Sequence, residues 1–343
     1  MSALQFLKPV NTNAERINTA SVRLYRLLSE LNPTDLPISE HYKQYFIQHH
    51  LGARLHFSIR NSAHIIFESV EKSGKPIEEL RIVDYGAGLG TLYLLAGMLN
   101  FKAVVYNDYL PDWKATAIAV ADALNIKVDA YVTGDIDAVT AYADAQQWKL
   151  DIIASRNVIE HIYSLDFFFT HLHQHNPNAI IYSTTSANFH NPAMWLKHIL
   201  LHKKTEKQHY RLERSKAIQT YWPQINEQQL NHLIEITRGR ATKDFYTAID
   251  DFRAGKSIAP VPYLGTNTCE YHTGYWCEHL ISKSAYISII TKAGYKCSYT
   301  AGYWDTQYNN ALMNILGRFL NILLPLLGKK GTLIAPFVNI IAY

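Results

Sequence analysis

A turn rich in glycine offers backbone groups that can hold a ligand. Asp84 is followed by three alternating glycines, Gly86, Gly88 and Gly90. A β-prone run precedes this stretch and an apolar, helix-prone run follows it. Glycine lets the backbone turn sharply and approach a ligand without an intervening Cβ. The free N–H groups at the start of a helix favour a polar or anionic ligand group. The pattern predicts a strand, a ligand-binding turn and the start of a helix.

Asp108 is an acidic residue that follows the glycine turn at the spacing of a nucleotide-binding site. The β-prone run 103–108 ends in Asp108, about 20 residues past the turn, where an acid can accept hydrogen bonds from both ribose hydroxyls of a nucleotide-like cofactor. The spacing is G-x-G-x-G, and Thr91 stands where the dinucleotide fingerprint has its third glycine. Asp84, the three glycines and Asp108 together resemble the cofactor site of class I S-adenosylmethionine (SAM)-dependent methyltransferases.

Two later stretches extend this resemblance. Residues 131–137 resemble the tip of the family's third strand, where an Asp commonly meets the adenine amino group and an apolar neighbour packs on the ring. Residues 150–162 resemble its fourth strand and the Val-Ile-Glu-His element that follows, with Asn157 placed to touch the methionine end of the cofactor. The resemblance implies that SAM is held by Asp84, Tyr85, Gly86, Gly88, Gly90, Asp108, Asp135, Ile136 and Asn157.

Methyl transfer is an in-line displacement, and a hydroxyl or ammonium acceptor must also lose a proton. His161 is the first candidate base, because it follows the fourth strand and an unperturbed imidazole titrates close to neutrality. Glu160 is the second candidate catalytic residue. The alternative is that this Glu-His pair shapes the cofactor pocket without moving protons.

Composition excludes some classes of protein. The 343 residues include 33 basic and 29 acidic side chains, a net charge of +4, which does not favour a nucleic-acid partner. Three cysteines provide no disulfide framework. The absence of a leader sequence and of a run of about 18 apolar residues favours a cytoplasmic protein.

Alternating strand-like and helix-like segments predict an α/β fold. We expect a doubly wound, mostly parallel, seven-stranded sheet whose last strand is antiparallel. Residues 1–75 are expected to be helical, and the resemblance implies that such helices lie over the cofactor pocket. Tyr42, Tyr45, His49, His50 and Arg54 are then candidate lining residues, although the polar faces of ordinary surface helices explain each of them equally well. The core spans 76–187, a mainly helical cap over the substrate site is inserted at 188–275, and 276–343 returns to the core with an apolar C-terminal helix. In this last part we expect a helix at 278–293 and strands at 295–300 and 332–343.

Two groups of residues have spacings that suit metal ligands, although no metal is expected. His198, His202, Glu206 and His209 share one face of a helix predicted at 194–210. Cys269, His272, Cys277 and His279 form the second group. Pairs at i and i+4 could share an ion, but a polar helix face and an aromatic loop explain the two patterns equally well.

The segment Leu312–Leu327 is apolar around most of a helix, and its polar side is narrow. Such a helix suits a membrane interface, a second subunit or a lipid-like acceptor, or it is buried within the chain. We expect that it is not simply core, so that peripheral membrane contact or a homodimer forms through it. Its two following lysines, Lys329 and Lys330, suit an anionic lipid surface and a helix C-terminus equally.

The function expected from the sequence is SAM-dependent methyl transfer. O-methylation of a small-molecule, sugar or lipid-linked acceptor is the first choice, and N- or C-methylation stays open because cofactor motifs do not identify the acceptor. An NAD-dependent oxidoreductase would also use a glycine turn and an acid such as Asp108, but the G-x-G-x-G spacing and the element ending in His161 speak against it. A non-catalytic SAM-binding module is the third possibility.

Overall fold

A mixed sheet of seven strands runs through the computed structural model, which describes residues 4–262 and 265–343. The strands are β1 (Arg81–Tyr85), β2 (Ala103–Asp108), β3 (Ala130–Thr133), β4 (Ile152–Arg156), β5 (Ile180–Thr185), β6 (Cys297–Ala301) and β7 (Val338–Ala342). Their order is β3-β2-β1-β4-β5-β7-β6. β7 is antiparallel to both of its neighbours, and the pairs among β1 to β5 are parallel. The predicted fold class is confirmed.

Helices cover both faces of this sheet. They are α1 (Thr12–Glu30), α2 (Glu40–His49), α3 (Leu55–Ser73), α4 (Leu92–Gly97), α5 (Pro111–Ala123), α6 (Ile136–Ala145), α7 (Leu165–His175), α8 (Pro192–Thr205), α9 (Arg211–Tyr221), α10 (Glu227–Ile236), α11 (Thr242–Arg253), α12 (Lys283–Lys292) and α13 (Ala311–Leu327). A single π-helical turn, Glu206–Tyr210, joins α8 to α9, so residues 192–221 form one continuous helical rod.

Alternation along each strand separates two apolar cores. Ile82 and Ile152 face the core that α1, α3, α4 and α5 cover, whereas Val83 and Ile153 face the core that α6, α7 and α12 cover. Successive side chains of a strand point to opposite faces, so strands covered on both sides must be apolar throughout. This requirement explains the continuous apolar runs in the sequence.

A third, smaller core lies within the segment after β5. It contains Ile218, Leu233, Ile234, Phe245 and Ile249, contributed by α9, α10 and α11. These helices therefore pack on one another through side chains of their own. The segment is mainly helical, as the sequence predicts for 188–275, and its last helix among the described residues ends at Arg253.

The last part of the chain differs from prediction at its element boundaries. The helix predicted from Glu278 begins at Lys283 instead, because Glu278 has a φ of +53° and the Ser282 hydroxyl oxygen accepts a hydrogen bond from the Ala285 N–H as the N-cap. The final strand begins at Val338 rather than at 332, because a 3₁₀ turn, Gly328–Leu333, precedes it. The sixth strand is Cys297–Ala301 rather than 295–300.

Candidate active site

A cavity of about 800 Å³ lies at the carboxyl ends of β1, β2, β3 and β4. The strand order reverses between β1 and β4, which is the switch point where ligands bind in sheets of this kind. All nine residues that the sequence predicts for the cofactor line this cavity, and so does His161. The structure therefore brings these ten side chains or turns together, while their role towards a cofactor stays a prediction.

The glycine turn forms one wall of the cavity. Gly86 has a φ of +66°, and a Cβ there would lie 2.6 Å from a methyl carbon of Val158. Gly88 has a φ of +50°, and apart from Gly88 and its two chain neighbours no atom of the described residues lies within 4 Å of where its Cβ would be. The first glycine is thus required by packing against the element after β4. The second keeps an open surface against which a ligand can lie.

Asp108 anchors two loops at the edge of the cavity. Its Oδ2 accepts a hydrogen bond from the Gly88 N–H at 2.9 Å, and its Oδ1 accepts one from the Leu110 N–H at 3.0 Å. Partial burial raises the pKa of this carboxyl, although these backbone donors oppose the rise. Each carboxylate oxygen keeps a second lone pair, so Asp108 can hold the glycine turn and a ligand hydroxyl together.

Asp84 lies at the buried base of the same wall. Its Oδ2 accepts a hydrogen bond from the Tyr93 N–H at 2.9 Å and so ties β1 to α4. Burial raises its pKa to about 7, against an ordinary value of 3.8. Desolvation of this kind disfavours the charged form. Asp84 is therefore a structural support for the turn as well as a lining residue.

Arg156 is a lining residue that the sequence interpretation omitted. Its guanidinium donates to the hydroxyl oxygens of Ser58, Ser62 and Thr91 at 2.9, 3.2 and 3.2 Å. These contacts join the end of β4 to α3 and to the glycine turn. A signal was present, because Arg156 directly precedes Asn157 in a stretch already assigned to a strand end.

The third and fourth strand ends supply the remaining predicted residues. Asp135 is exposed and caps α6 by accepting a hydrogen bond from the Asp137 N–H at 3.2 Å, whereas the neighbouring Ile136 is buried. Asn157 has a φ of +53°, and its side-chain oxygen accepts a hydrogen bond from the Ser186 N–H at 3.1 Å. Both polar side chains thus help to fix the loops that border the cavity.

The tautomer of His161 follows from its contacts. Its Nδ1 lies 2.7 Å from the carbonyl oxygen of Trp276, which can only accept, so Nδ1 carries the proton. The ring also stacks on Tyr275, with centroids 4.4 Å apart and planes 9° apart. Burial lowers the pKa of His161, which favours the neutral ring. A neutral ring protonated at Nδ1 has an unprotonated Nε2 that can accept a proton.

Glu160 is not brought into the cavity, in contrast to its prediction as a catalytic residue. Its side chain is 1% exposed, beside Thr185, because the 3₁₀ turn Ile159–His161 directs it inward. Neither carboxyl oxygen makes a hydrogen bond of normal geometry within the part of the chain that the structure describes. Burial raises its pKa to about 8. Direct contact between this carboxyl and a ligand in the cavity is therefore excluded in this conformation.

Residues outside the strand ends complete the cavity. From the N-terminal helices, Tyr45 and His50 line it, whereas Tyr42, His49 and Arg54 do not. Burial lowers the pKa of His50 to about 3, so this ring stays neutral. The segment after β5 adds Tyr210, Glu270, Thr273 and Tyr275. Sequence analysis missed these four, because Glu270, Thr273 and Tyr275 lie in a loop without a periodic signal and Tyr210 lies in a π-helical turn.

The two histidine-rich groups are used in other ways. His198 forms an ion pair with Glu278, and Glu206 forms one with the buried Arg214. His202 donates from Nε2 to the Glu278 carbonyl oxygen and accepts at Nδ1 from the Thr268 N–H. The Cys269 thiol points to the Arg240 carbonyl oxygen instead. Among residues 4–262 and 265–343, no three His, Cys, Asp or Glu side chains lie close enough to share a metal ion.

No protein-family model and no curated protein matches the sequence. Among solved structures, the chain is similar to a SAM-dependent methyltransferase from Clostridium acetobutylicum, with 15% identity, a TM-score of 0.30 and coverage of 36% of this chain and 48% of that one. A protein from Streptococcus mutans assigned as a SAM-dependent methyltransferase shares 15% identity over 38% of this chain and 37% of its own, with a TM-score of 0.28. One from Pyrococcus horikoshii assigned as an RNA methyltransferase shares 16% identity over 48% and 72%, with a TM-score of 0.32. The match spans less than half of the Clostridium and Streptococcus chains, and the fold described above rests on this chain's own strand order.

Proposed function

We propose that this chain is a SAM-dependent methyltransferase that transfers the methyl group to an oxygen atom of a small-molecule, sugar or lipid-linked acceptor. The observation that carries the proposal is one cavity, at the switch point of the sheet, that gathers the open glycine turn, Asp108 and a histidine of fixed tautomer. SAM, when bound, supplies an electrophilic methyl group on a sulfonium centre.

The residues present fit a nucleoside cofactor. The open surface at Gly88 leaves room for the backbone to be approached closely, and a side chain there would fill the space. Asp108 offers carboxylate lone pairs for ribose hydroxyls, and Asp135 and Ile136 offer a polar group and an apolar group for a purine. Asn157 follows β4, which lies on the other side of β1 from β2 and Asp108, and it can meet the amino-acid part of the cofactor.

His161 supports an acceptor that must lose a proton. The carbonyl oxygen of Trp276 holds the proton of the ring on Nδ1, and the lowered pKa keeps Nε2 free to accept another. A hydroxyl group needs a base of this kind, because its own proton is held tightly until the new bond forms. The proposal for an oxygen acceptor depends on this tautomer.

The other side of the cavity supports an acceptor with an apolar or sugar-like surface. Tyr45 on α2 and Trp113 on α5 contribute rings, and Tyr210 and Tyr275 contribute rings from the segment after β5. Aromatic faces pack against apolar groups and against sugar rings, while the tyrosine hydroxyls offer hydrogen bonds at the edge of the ring. A volume of about 800 Å³ is ample for a cofactor together with an acceptor of moderate size.

Two measurements test this function in order. Calorimetric titration with S-adenosylhomocysteine and separately with NAD⁺ should give heat of binding with the first ligand and none with the second. The protein is then incubated with SAM carrying a ¹³C methyl group and with mixed hydroxyl-bearing sugars, lipids and small metabolites. The carbon chemical shift of the transferred methyl group distinguishes an oxygen acceptor from nitrogen or carbon.

The outcomes separate the parts of the proposal. Binding of NAD⁺ in place of S-adenosylhomocysteine would reject the methyltransferase assignment. A methyl signal on nitrogen or carbon would keep methyl transfer and reject the oxygen acceptor. Binding without transfer to any acceptor would favour a non-catalytic SAM-binding module.

A further inference from the structure

The C-terminal helix α13 leaves most of its apolar side chains in water. Gly317 and Leu324 are its buried residues. Its large exposed side chains have between 39% and 77% of their surface accessible and are Leu312, Met313, Ile315, Leu316, Phe319, Ile322, Leu326 and Leu327. Exposed apolar patches of this size on a folded chain mark an interaction surface.

The exposed residues form one continuous face. At 100° per residue, seven of these eight positions, from Ile322 round to Leu327, fall within an arc of about 140°, and Met313 extends the arc to about 180°. Gly317 and Leu324 lie on the opposite side, where the helix meets the rest of the protein. An apolar arc of this width with a polar or packed opposite side is the pattern of a helix that lies in a membrane interface.

The packed side holds α13 along the protein surface. Asn321 exchanges two hydrogen bonds with the backbone of Trp304, and Asn314 exchanges two with the backbone of Tyr308. Gly317 packs so closely on the carbonyl of Asp305 that a Cβ would collide with it. By length and composition, Ala311–Leu333 could cross a membrane, with a mean hydropathy of 1.6 over its most apolar window. Crossing would break all these contacts, so the helix suits a membrane surface.

The positive charge of residues 306–343 favours an anionic lipid surface. From 306 to 343 the sequence has no Asp or Glu, and it has three basic residues, Arg318, Lys329 and Lys330, all of them exposed. Basic side chains beside an apolar face are attracted to anionic headgroups, and each adds to binding near the surface.

The helix α8 begins beside the turn that follows α13, and it also exposes apolar and basic side chains. Asn188 and Asn191, just before α8, donate hydrogen bonds to the carbonyl oxygens of Thr332 in that turn and of Ala335 just after it. The exposed side of α8 carries the apolar residues Trp195, Leu196 and Leu200 and the basic residues Lys197, Lys203 and Lys204. Two adjoining elements thus present apolar groups together with positive charge.

From these observations we propose that α13 docks this protein on an anionic lipid surface, with its axis parallel to the membrane. A second copy of the chain is a poorer occupant. In a two-fold pair the same face meets itself, so Arg318 and the two lysines of each copy would meet a segment without acidic side chains. The lipid headgroups supply the missing negative charge.

Vesicle co-sedimentation of the full chain tests the proposal, with vesicles of phosphatidylcholine alone and vesicles that also contain phosphatidylglycerol. The wild-type protein should bind the anionic vesicles about tenfold or more tightly than the neutral ones, and added salt should weaken this preference. Ile315→Glu combined with Phe319→Glu should abolish binding to both. Lys329→Glu combined with Lys330→Glu should remove the preference for anionic vesicles.

Matched controls separate α13 from general effects of charge. Leu212→Glu alters a comparably exposed leucine on α9, and Lys102→Glu with Lys243→Glu reverses two exposed lysines elsewhere. Both controls should bind vesicles as the wild type does. Circular dichroism and S-adenosylhomocysteine titration check that each variant is folded.

Three results would overturn the proposal. The first is a wild-type protein that ignores both kinds of vesicle. The second is a wild-type dimer, seen by light scattering, that does not bind vesicles and that the combined Ile315→Glu and Phe319→Glu changes dissociate. The third is loss of vesicle binding in the controls as well as in the α13 variants.

Discussion

Glu160 provides a sharp test of how the site is built, because its carboxyl is buried without a normal hydrogen bond among the described residues. Its pKa is about 8 in the folded protein against an ordinary value of 4.5, and desolvation is the main cause, with the nearby Glu278 adding to the rise. Between these two pH values the unfolded chain has lost the proton and the folded chain keeps it. Stability from the neutral carboxyl is therefore fully present below about pH 4.5 and is lost as the pH rises towards 8.

Glu160→Gln replaces the neutral acid with a side chain of similar shape that does not titrate. The wild type should lose about 1.4 kcal/mol per pH unit relative to this variant over that window, or roughly 4 kcal/mol between pH 5 and pH 8. For a chain of 343 residues this corresponds to a change of about 5 °C in the difference between the two melting temperatures.

The assay is thermal unfolding of both proteins at a series of pH values, since the difference removes the titration of all other groups. Glu30→Gln is the matched control, because Glu30 is an exposed glutamate at the end of α1. The control should keep a constant difference from the wild type across the same range. A Glu160→Gln difference that is equally constant would refute the reasoning and would mean that the carboxyl is solvated in the folded protein.

Three further predictions concern the cavity. Asp108→Ala should weaken S-adenosylhomocysteine binding at least about tenfold, since charge-assisted hydrogen bonds contribute about 1.5–3 kcal/mol each; Asp129→Ala, which also frees a backbone N–H but away from the cavity, should leave the calorimetric affinity unchanged. His161→Ala should lower turnover by about 10²–10⁴-fold with cofactor affinity nearly unchanged. Loss of both turnover and cofactor affinity would show that His161 shapes the pocket instead. In the wild type, the rate should fall on the acid side at a pH below the ordinary histidine pKa of 6.5, because the pKa of His161 is lowered. Gly88→Ala and Gly74→Ala place the same side chain at similar positive φ values, +50° and +65°, so both should lower the melting temperature by a similar amount. Only Gly88→Ala should weaken cofactor binding, and equal affinities would show that no ligand approaches Gly88.

The strand ends were predictable because their signal is local. The glycine turn, Asp108, Asp135 and Asn157 each follow an apolar run, and a parallel sheet must bring such ends to one edge. The sequence therefore predicted which residues meet. It could not predict that Glu160 turns inward while His161 faces the cavity. The two residues are neighbours in one 3₁₀ turn, and their directions depend on the exact position of that turn.

The parts that escaped prediction depend on contacts between distant segments. Arg156 reaches hydroxyls of Ser58 and Ser62, 98 and 94 residues away in sequence. Tyr275 reaches His161 across the whole insertion. The start of α12 moved to Lys283 because Glu278 is held by His198 in a conformation that helices do not use. No periodicity within a single segment reports such pairings.

If His161 is the base, as proposed above, its contact with Trp276 would limit which molecules the site can process. The loop carrying Trp276 and Tyr275 is a wall of the cavity, and the same loop supplies the oxygen that keeps the imidazole proton on Nδ1. A guest bulky enough to push this loop outward would take that oxygen away. The imidazole could then carry its proton on Nε2, where it no longer accepts one from the guest. An oversized molecule would therefore be bound without being processed. The site would then select its acceptor by size and also by whether Nε2 of His161 stays free to accept a proton.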